Sequence, residues 1–245
     1  MNRPFFSILR SLAVLASVLG TVHAQSSTVS IRLLAFRRVG DVREVIVAGP
    51  DGKALDNTPL ALPTEQLSPP LVVGSRSLVF LTSQPAATAS SPGTARTSSS
   101  EVPAPPLAKV ELPATGNEFI LVFLPDSKDA KLPYRIDAVP LSAGGFGSGD
   151  HVFANYSGAN VGFMIGDEKM AVATGKSAVY HPKETGGNRA MVGFWQKNDG
   201  AWDPSPFYSS RLIIQDGVRN LVLIIRDPST GTPDFRGISD FVDNP

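Results

Sequence analysis

The chain contains no cysteine. That absence excludes disulfides, thiolate metal sites, a cysteine nucleophile and a lipidated N-terminal cysteine. Histidine is nearly absent too: of three, only His151 and His181 lie beyond residue 24. Neither charge dominates, with 22 Lys and Arg against 22 Asp and Glu. There is thus no cationic excess of the kind that holds a nucleic-acid backbone, and no polyacidic tail. Beyond the N-terminal stretch no apolar run approaches the length of a membrane helix; Leu221 to Ile225, five residues, reads as a strand. No segment keeps a 3.6-residue apolar period over three turns.

What is present begins with an address. Arg3 and Arg10 precede the short apolar stretch Leu12 to Gly20, and Val22-His23-Ala24 carries small residues at the two positions that a signal peptidase reads. Residues 1–24 are therefore expected to be a cleaved signal peptide. Removing its two arginines leaves 20 basic against 22 acidic residues. The mature chain is expected to be exported, periplasmic or extracellular, with no transmembrane segment and no disulfides to stabilise it.

The remainder reads as all-β. Hydrophobic residues make up 42%, enough for real cores, and 22 glycines and 21 prolines punctuate short apolar runs. Strands are predicted near residues 29–36, 43–48, 71–81, 108–112, 118–124 and 134–139. A second series is predicted near 151–155, 161–165, 170–173, 177–180, 189–196, 207–214 and 221–226. Pro50-Asp51-Gly52, Asn198-Asp199-Gly200 and Asp216-Gly217 place glycine where hairpin turns need positive φ. Phe119–Leu124 and Leu221–Ile225 are apolar at every position, the pattern of strands covered on both faces. Residues 83–106 differ in kind: 20 of the 24 are Ser, Thr, Pro, Ala or Gly. They read as a disordered insertion, because such a segment buries too little apolar surface to offset its ordering.

The two halves look alike. Glu118 to Phe123 runs into Pro125-Asp126-Ser127 and then Pro133-Tyr134-Arg135-Ile136. Asn220 to Ile225 runs into Asp227-Pro228-Ser229 and then Phe235-Arg236-Gly237-Ile238, 101 to 102 residues later. This alignment sets Arg236 against Arg135. Gly74 to Phe80 parallels Gly175 to Tyr180, and Ile31–Phe36 parallels His151–Tyr156. The reading is two tandem β-sandwich segments of six or seven strands each, 25–140 and 151–245, joined by a Gly/Ser-rich linker at 141–150.

The opening Val29-Ser30-Ile31-Arg32-Leu33-Leu34, the middle His151-Val152-Phe153-Ala154-Asn155-Tyr156 and the close Phe235-Arg236-Gly237-Ile238-Ser239-Asp240 carry a family resemblance. Residues 28–242 resemble uncharacterised secreted bacterial proteins with two weakly repeated segments. Each half is similar to small bacterial domains of unknown function with immunoglobulin-like sandwiches. The resemblance implies the fold and an envelope location, and brings no catalytic residue with it.

Reactive constellations are scarce. Nucleophilic catalysis needs a base beside Ser or Thr, and both histidines read as surface or edge polar positions. Ser148 is flanked by Gly147 and Gly149, the wrong spacing for a nucleophile elbow. The two histidines lie 30 residues apart without a second ligand nearby, so no metal site and no cofactor is expected. Asp126 and Asp129 flank Lys128, which opposes a cation, and they read as turn caps.

The stretch richest in aromatics runs from Phe194 to Tyr208 and holds both tryptophans, Trp195 and Trp202. Trp195 reads as core. Trp202, Phe207 and Tyr208 are the candidate binding residues, since flat aromatics at a sandwich edge stack on sugars or anchor protein partners. The expectation is a non-catalytic exported binding or structural module whose partner is an envelope protein or a glycan. A carbohydrate-binding module, with Trp202 and Tyr208 coplanar on one face, is the alternative. A carboxylate-based glycan-active enzyme, with two acids in a cleft between the halves, is the third.

Overall fold

The structure is a computed structural model that describes residues 28–83, 104–125, 131–141, 146–184, 186–197, 199–227 and 230–242. The expected signal peptide, most of the insertion and the turn holding Asp126 and Asp129 lie outside the described residues.

Sixteen strands and no helix are found among them. The first eight are β1 (Val29–Ala35), β2 (Glu44–Ala48), β3 (Leu60–Ala61), β4 (Leu71–Val73), β5 (Ser77–Thr82), β6 (Pro106–Glu111), β7 (Glu118–Leu124) and β8 (Arg135–Pro140). The second eight are β9 (His151–Tyr156), β10 (Val161–Ile165), β11 (Glu168–Val172), β12 (Ser177–Tyr180), β13 (Asn188–Trp195), β14 (Tyr208–Ile213), β15 (Val218–Arg226) and β16 (Pro233–Phe241). The predicted strand at 71–81 is two strands, broken at Gly74-Ser75-Arg76, where the chain changes sheet. Two strands went unpredicted: the two-residue β3, and β16, whose Pro, Asp and Gly content is poor in β-propensity.

The strands form four four-stranded sheets, and the repeat is explicit in their order. One sheet of the first half runs β4-β1-β7-β8, and its counterpart runs β12-β9-β15-β16. The other runs β3-β2-β5-β6, and its counterpart runs β11-β10-β13-β14. Each order is the other advanced by eight. The match extends to direction: β1 and β7 pair parallel, as do β9 and β15. Leu33 faces Leu121 in one parallel pair and Phe153 faces Val222 in the other. All four point into their own copy's core, which sets the repeat offset at 101 residues along β7 and β15.

Three apolar clusters show the stacking. The first lies between the two sheets of the first copy, with Ile31, Leu33, Phe80, Leu121 and Phe123 at its centre. The third does the same in the second copy, with Phe153, Phe163, Met191 and Ile224. The second cluster joins the copies: Leu34, Ile120 and Val122 of one meet Val152, Leu221 and Leu223 of the other. The molecule is therefore four sheets deep. The β1/β7 and β9/β15 sheets are in the middle, and the β2/β5 and β10/β13 sheets are outside. This explains why Phe119–Leu124 of β7 and Leu221–Ile225 of β15 are apolar at every position: these stretches are covered on both faces. Each fully buried side chain of this size contributes roughly 1.5–3 kcal/mol. The fourteen buried residues of the middle cluster therefore bind the copies into one body rather than beads on a linker. The described ends of the 141–150 connection belong to that body, since Leu141 and Phe146 are buried in the same cluster.

Equivalent faces meet at this interface, so its contacts recur in swapped form. Arg236 of the second copy lies over the Phe36 ring, 4.7 Å from its centroid, and donates to the Phe36 carbonyl. Tyr156, the counterpart of Phe36, donates its hydroxyl to Asp137 of the first copy. Burial, reinforced by that carboxylate, pushes the Tyr156 hydroxyl well above its ordinary pKa. Strand pairing thus sets Arg236 against Asp137, not against Arg135, correcting the sequence alignment by two residues. Arg135 instead sits over the Tyr156 ring at 5.8 Å.

Candidate functional site

The β13–β14 connection occupies the place that the low-complexity insertion takes in the first copy, between β5 and β6. Here it is a short, tightly hydrogen-bonded loop. The Lys197 amide donates to the Ala201 carbonyl at 2.8 Å, and the Asp203 amide to the Trp195 carbonyl at 2.9 Å. Asp199 caps the Ala201 amide and Asp203 the Ser205 amide, each at 2.9 Å. The Ser205 amide, then the nearby Lys197, holds the Asp203 carboxyl below its usual range. Gln196 and Trp202 form a β-bridge across the loop mouth.

This scaffold presents Trp202 on the solvent face of the outer sheet. Along β10, Val161, Phe163 and Ile165 point inward, leaving Gly162 and Met164 outward. The Trp202 ring leans over Gly162, where an added Cβ would lie 3.2 Å from the ring. Only a glycine lets the indole come down on the sheet at this distance. The ring remains 48% exposed. Beside it, Phe194 and Ala171 lie opposite Gly162 on β13 and β11, and Met164 follows Gly162 outward. Together they line an open apolar groove of about 310 Å³, with Lys169 at its rim.

The other two candidates are elsewhere. Tyr208 shares the face of β14 that carries the buried Leu212, and it packs against the second copy's core. Its ring stacks on Phe235 with centroids 4.1 Å apart and planes 22° apart. Phe207 is also inward, edge-on to Phe163 at 6.1 Å and close over Gly193. Trp202 and Tyr208 therefore lie on opposite faces of one sheet, and no shared aromatic platform forms. Trp195 packs against the core as expected.

The histidines divide. His181 is half exposed and lies 2.9 Å from the buried Asp150. Among the described residues no hydroxyl bonds that imidazole to extend the pair toward a triad. His151, expected at a surface or edge, is buried in β9, a central strand. The correction has a clear cause: both ring nitrogens are used. Nδ1 bonds the Gly149 carbonyl at 3.1 Å and Nε2 faces the Asn220 amide nitrogen at 3.2 Å. Burial pushes this imidazole below its ordinary pKa. Ser148 accepts from the Gly217 amide at 2.7 Å and serves as a turn tie. Among the described residues no three His, Asp or Glu side chains converge as a metal cluster.

No protein-family model matches the chain, and no curated protein matches it. The groove residues that the sequence reading missed are Gly162, Met164, Lys169 and Ala171. The available signal was parity: small residues at alternate, outward positions of paired strands open a sheet face to a neighbouring loop.

Proposed function

We propose that the chain is an exported, non-catalytic binding or structural module, whose contact site is the Trp202 groove. The observation that carries this is the half-exposed indole, fixed by a capped loop above a glycine. Rigid, partly exposed aromatics in apolar surroundings anchor binding partners, because their burial is large and their ordering cost small. The export signal and the resemblance to secreted bacterial proteins support an envelope or extracellular setting. The immunoglobulin-like reading draws support from two four-stranded sheets per copy. The strand order is the molecule's own, with the first strand parallel to the seventh.

The test is crosslinked capture from the source cell envelope, wild type beside Trp202→Ala, followed by rebinding of the captured molecule in purified form. One molecule retained by wild type and weakened at least tenfold in the variant is expected. Equal rebinding to both proteins would remove the groove from the site.

A carbohydrate-binding role is the second reading, favoured by the exposed indole face. It lacks the second ring, since Tyr208 faces inward. Binding to a glycan array that Trp202→Ala abolishes would place it first.

A further inference from the structure

The groove opens onto a free sheet edge. Gly162 pairs with Ala171 and Met164 with Lys169 across the β10–β11 hairpin. The Gly166 amide donates to Ala190 on β13, and the Asn160 carbonyl accepts from Gln196. Even-numbered residues of β10 thus direct their main-chain groups at β13, and Val161, Phe163 and Ile165 direct theirs at β11. Their partners there are Val172, Met170 and Glu168. The amides and carbonyls of Lys169 and Ala171 point the other way, off the edge of the sheet, where β11 is the last strand. Among the described residues no main-chain bond outside the ladder reaches either one, and both are exposed.

A comparison of the copies sharpens this. The counterpart of β11 is β3, which has two residues where β11 has five. The counterpart of the Trp202 loop is the β5–β6 connection, which brings no described aromatic over its sheet. A usable edge and an exposed indole occur together in the second copy only, and at the same place. Between them the sheet surface is low, because Gly162 has no side chain and Ala171 only a methyl. A side chain seated opposite Ala171 on an added strand, roughly 5 Å away, would reach over that methyl to the indole. Two positions along the same face it would meet the exposed ammonium of Lys169.

We propose that β11 is a strand-addition site for an extended peptide segment. Its main chain pairs with Lys169 and Ala171, its large apolar side chain fills the Trp202 groove, and an acidic side chain two positions away meets Lys169. Main-chain bonds of this kind give affinity, and the pocket gives specificity. This rests on the reading of the groove as a binding surface and names its partner class.

The probe is a fluorescein-labelled synthetic decapeptide of alternating Thr and Val, with one Phe followed two positions on by Asp. Anisotropy is read against the mature protein. Binding is expected to weaken at least tenfold in Ala171→Pro, which removes only an outward amide, and in Trp202→Ala. Lys169→Glu is expected to reverse the preference toward a peptide carrying Lys in place of Asp. A peptide N-methylated at alternate amides tests the same bonds with the protein untouched, and it is expected to bind at least tenfold more weakly in one of its two methylation registers. Equal binding of both N-methylated registers and the parent peptide, or no binding of the parent at all, overturns strand addition. In either case the capture experiment still decides the groove independently. Dimers in sedimentation that Ala171→Pro dissolves would overturn a foreign peptide in favour of a second copy of this chain.

Discussion

Arg32 on β1 donates to the carboxylate of Asp240 on β16, joining the two copies at one end of their interface. Arg219 takes the other carboxylate oxygen at 2.8 Å. The Asp240 side chain is only 3% exposed, so its charge depends on these two partners. The swapped position at the far end of the interface is apolar, with Leu141 and Val152 in the same cluster.

Removing Arg32 leaves the buried Asp240 with Arg219 alone, and the loss of one hydrogen bond to a charged group typically costs about 1.5–3 kcal/mol. Arg32→Ala is expected to destabilise by that amount in urea unfolding. Replacing Arg32, Arg219 and Asp240 together by apolar residues of similar volume is expected to cost less. A triple variant weaker than the single one would show that the charges supply net stability rather than orientation.

Gly193 faces Phe163 across the sheet, and a Cβ there would lie 2.9 Å from that ring and 3.0 Å from Phe207. Gly193→Ala overpacks the second core and is expected to cost about 2 kcal/mol. Phe207→Leu in the same chain removes one of the two obstructing rings. The double variant is expected to be more stable than the sum of the singles predicts, because the sites share a contact. Thermal unfolding of all four proteins measures that coupling, and strict additivity would separate the two sites.

Much of this architecture was legible in the sequence, for identifiable reasons. Stretches covered on both faces leave no polar positions, so Phe119–Leu124 of β7 and Leu221–Ile225 of β15 announced themselves, and the turn-strand order betrayed the duplication. Less legible was β16: an edge strand with Pro233, Gly237 and Asp240 is held by pairing with β15 rather than by its own propensity. The site was half legible. Aromatic clustering marked the 194–208 stretch, but which ring faces water is a question of parity. Leu212 faces the core, so Tyr208, four residues earlier on the same strand, does too. Trp202 escapes that parity because it sits in a loop. His151 reads as polar from its type alone. Its burial depends on partners at Gly149 and Asn220, the latter 69 residues away.

The neutral form of His151 is built into the fold. Its Nδ1–H donates to Gly149, leaving Nε2 to accept from Asn220. Burial strips the charged form of its hydration, and this outweighs the Gly149 and Ile213 carbonyls and Asp150, which favour it, so the native imidazole titrates below the ordinary value of about 6.5. An unfolded chain takes up the proton near 6.5 while the native one resists, so this contribution is fully present above that pH. It is lost as pH falls from 6.5 toward the native value. Urea midpoints are expected to decline from pH 7.5 to 5.5 in wild type and to decline less in His151→Gln. Equal slopes would assign the acid sensitivity to other groups.

The closeness of Gly162 to Trp202 separates shape from stability. In Gly162→Ala the new methyl would sit 3.2 and 3.3 Å from two indole carbons, tighter than ordinary contact. Trp202 is half exposed and its ring can lift, so relief comes through the loop rather than the core. The expected stability change is within about 0.5–1 kcal/mol, the range of surface substitutions. The lifted ring meets more water, so its emission is expected to shift to longer wavelength. Trp195→Phe as a background removes the other, core-packed emitter. A groove that works by shape would lose its ligand at least tenfold in Gly162→Ala with the melting temperature almost unchanged. Full binding with a displaced indole would mean that the partner is held by the β11 edge alone.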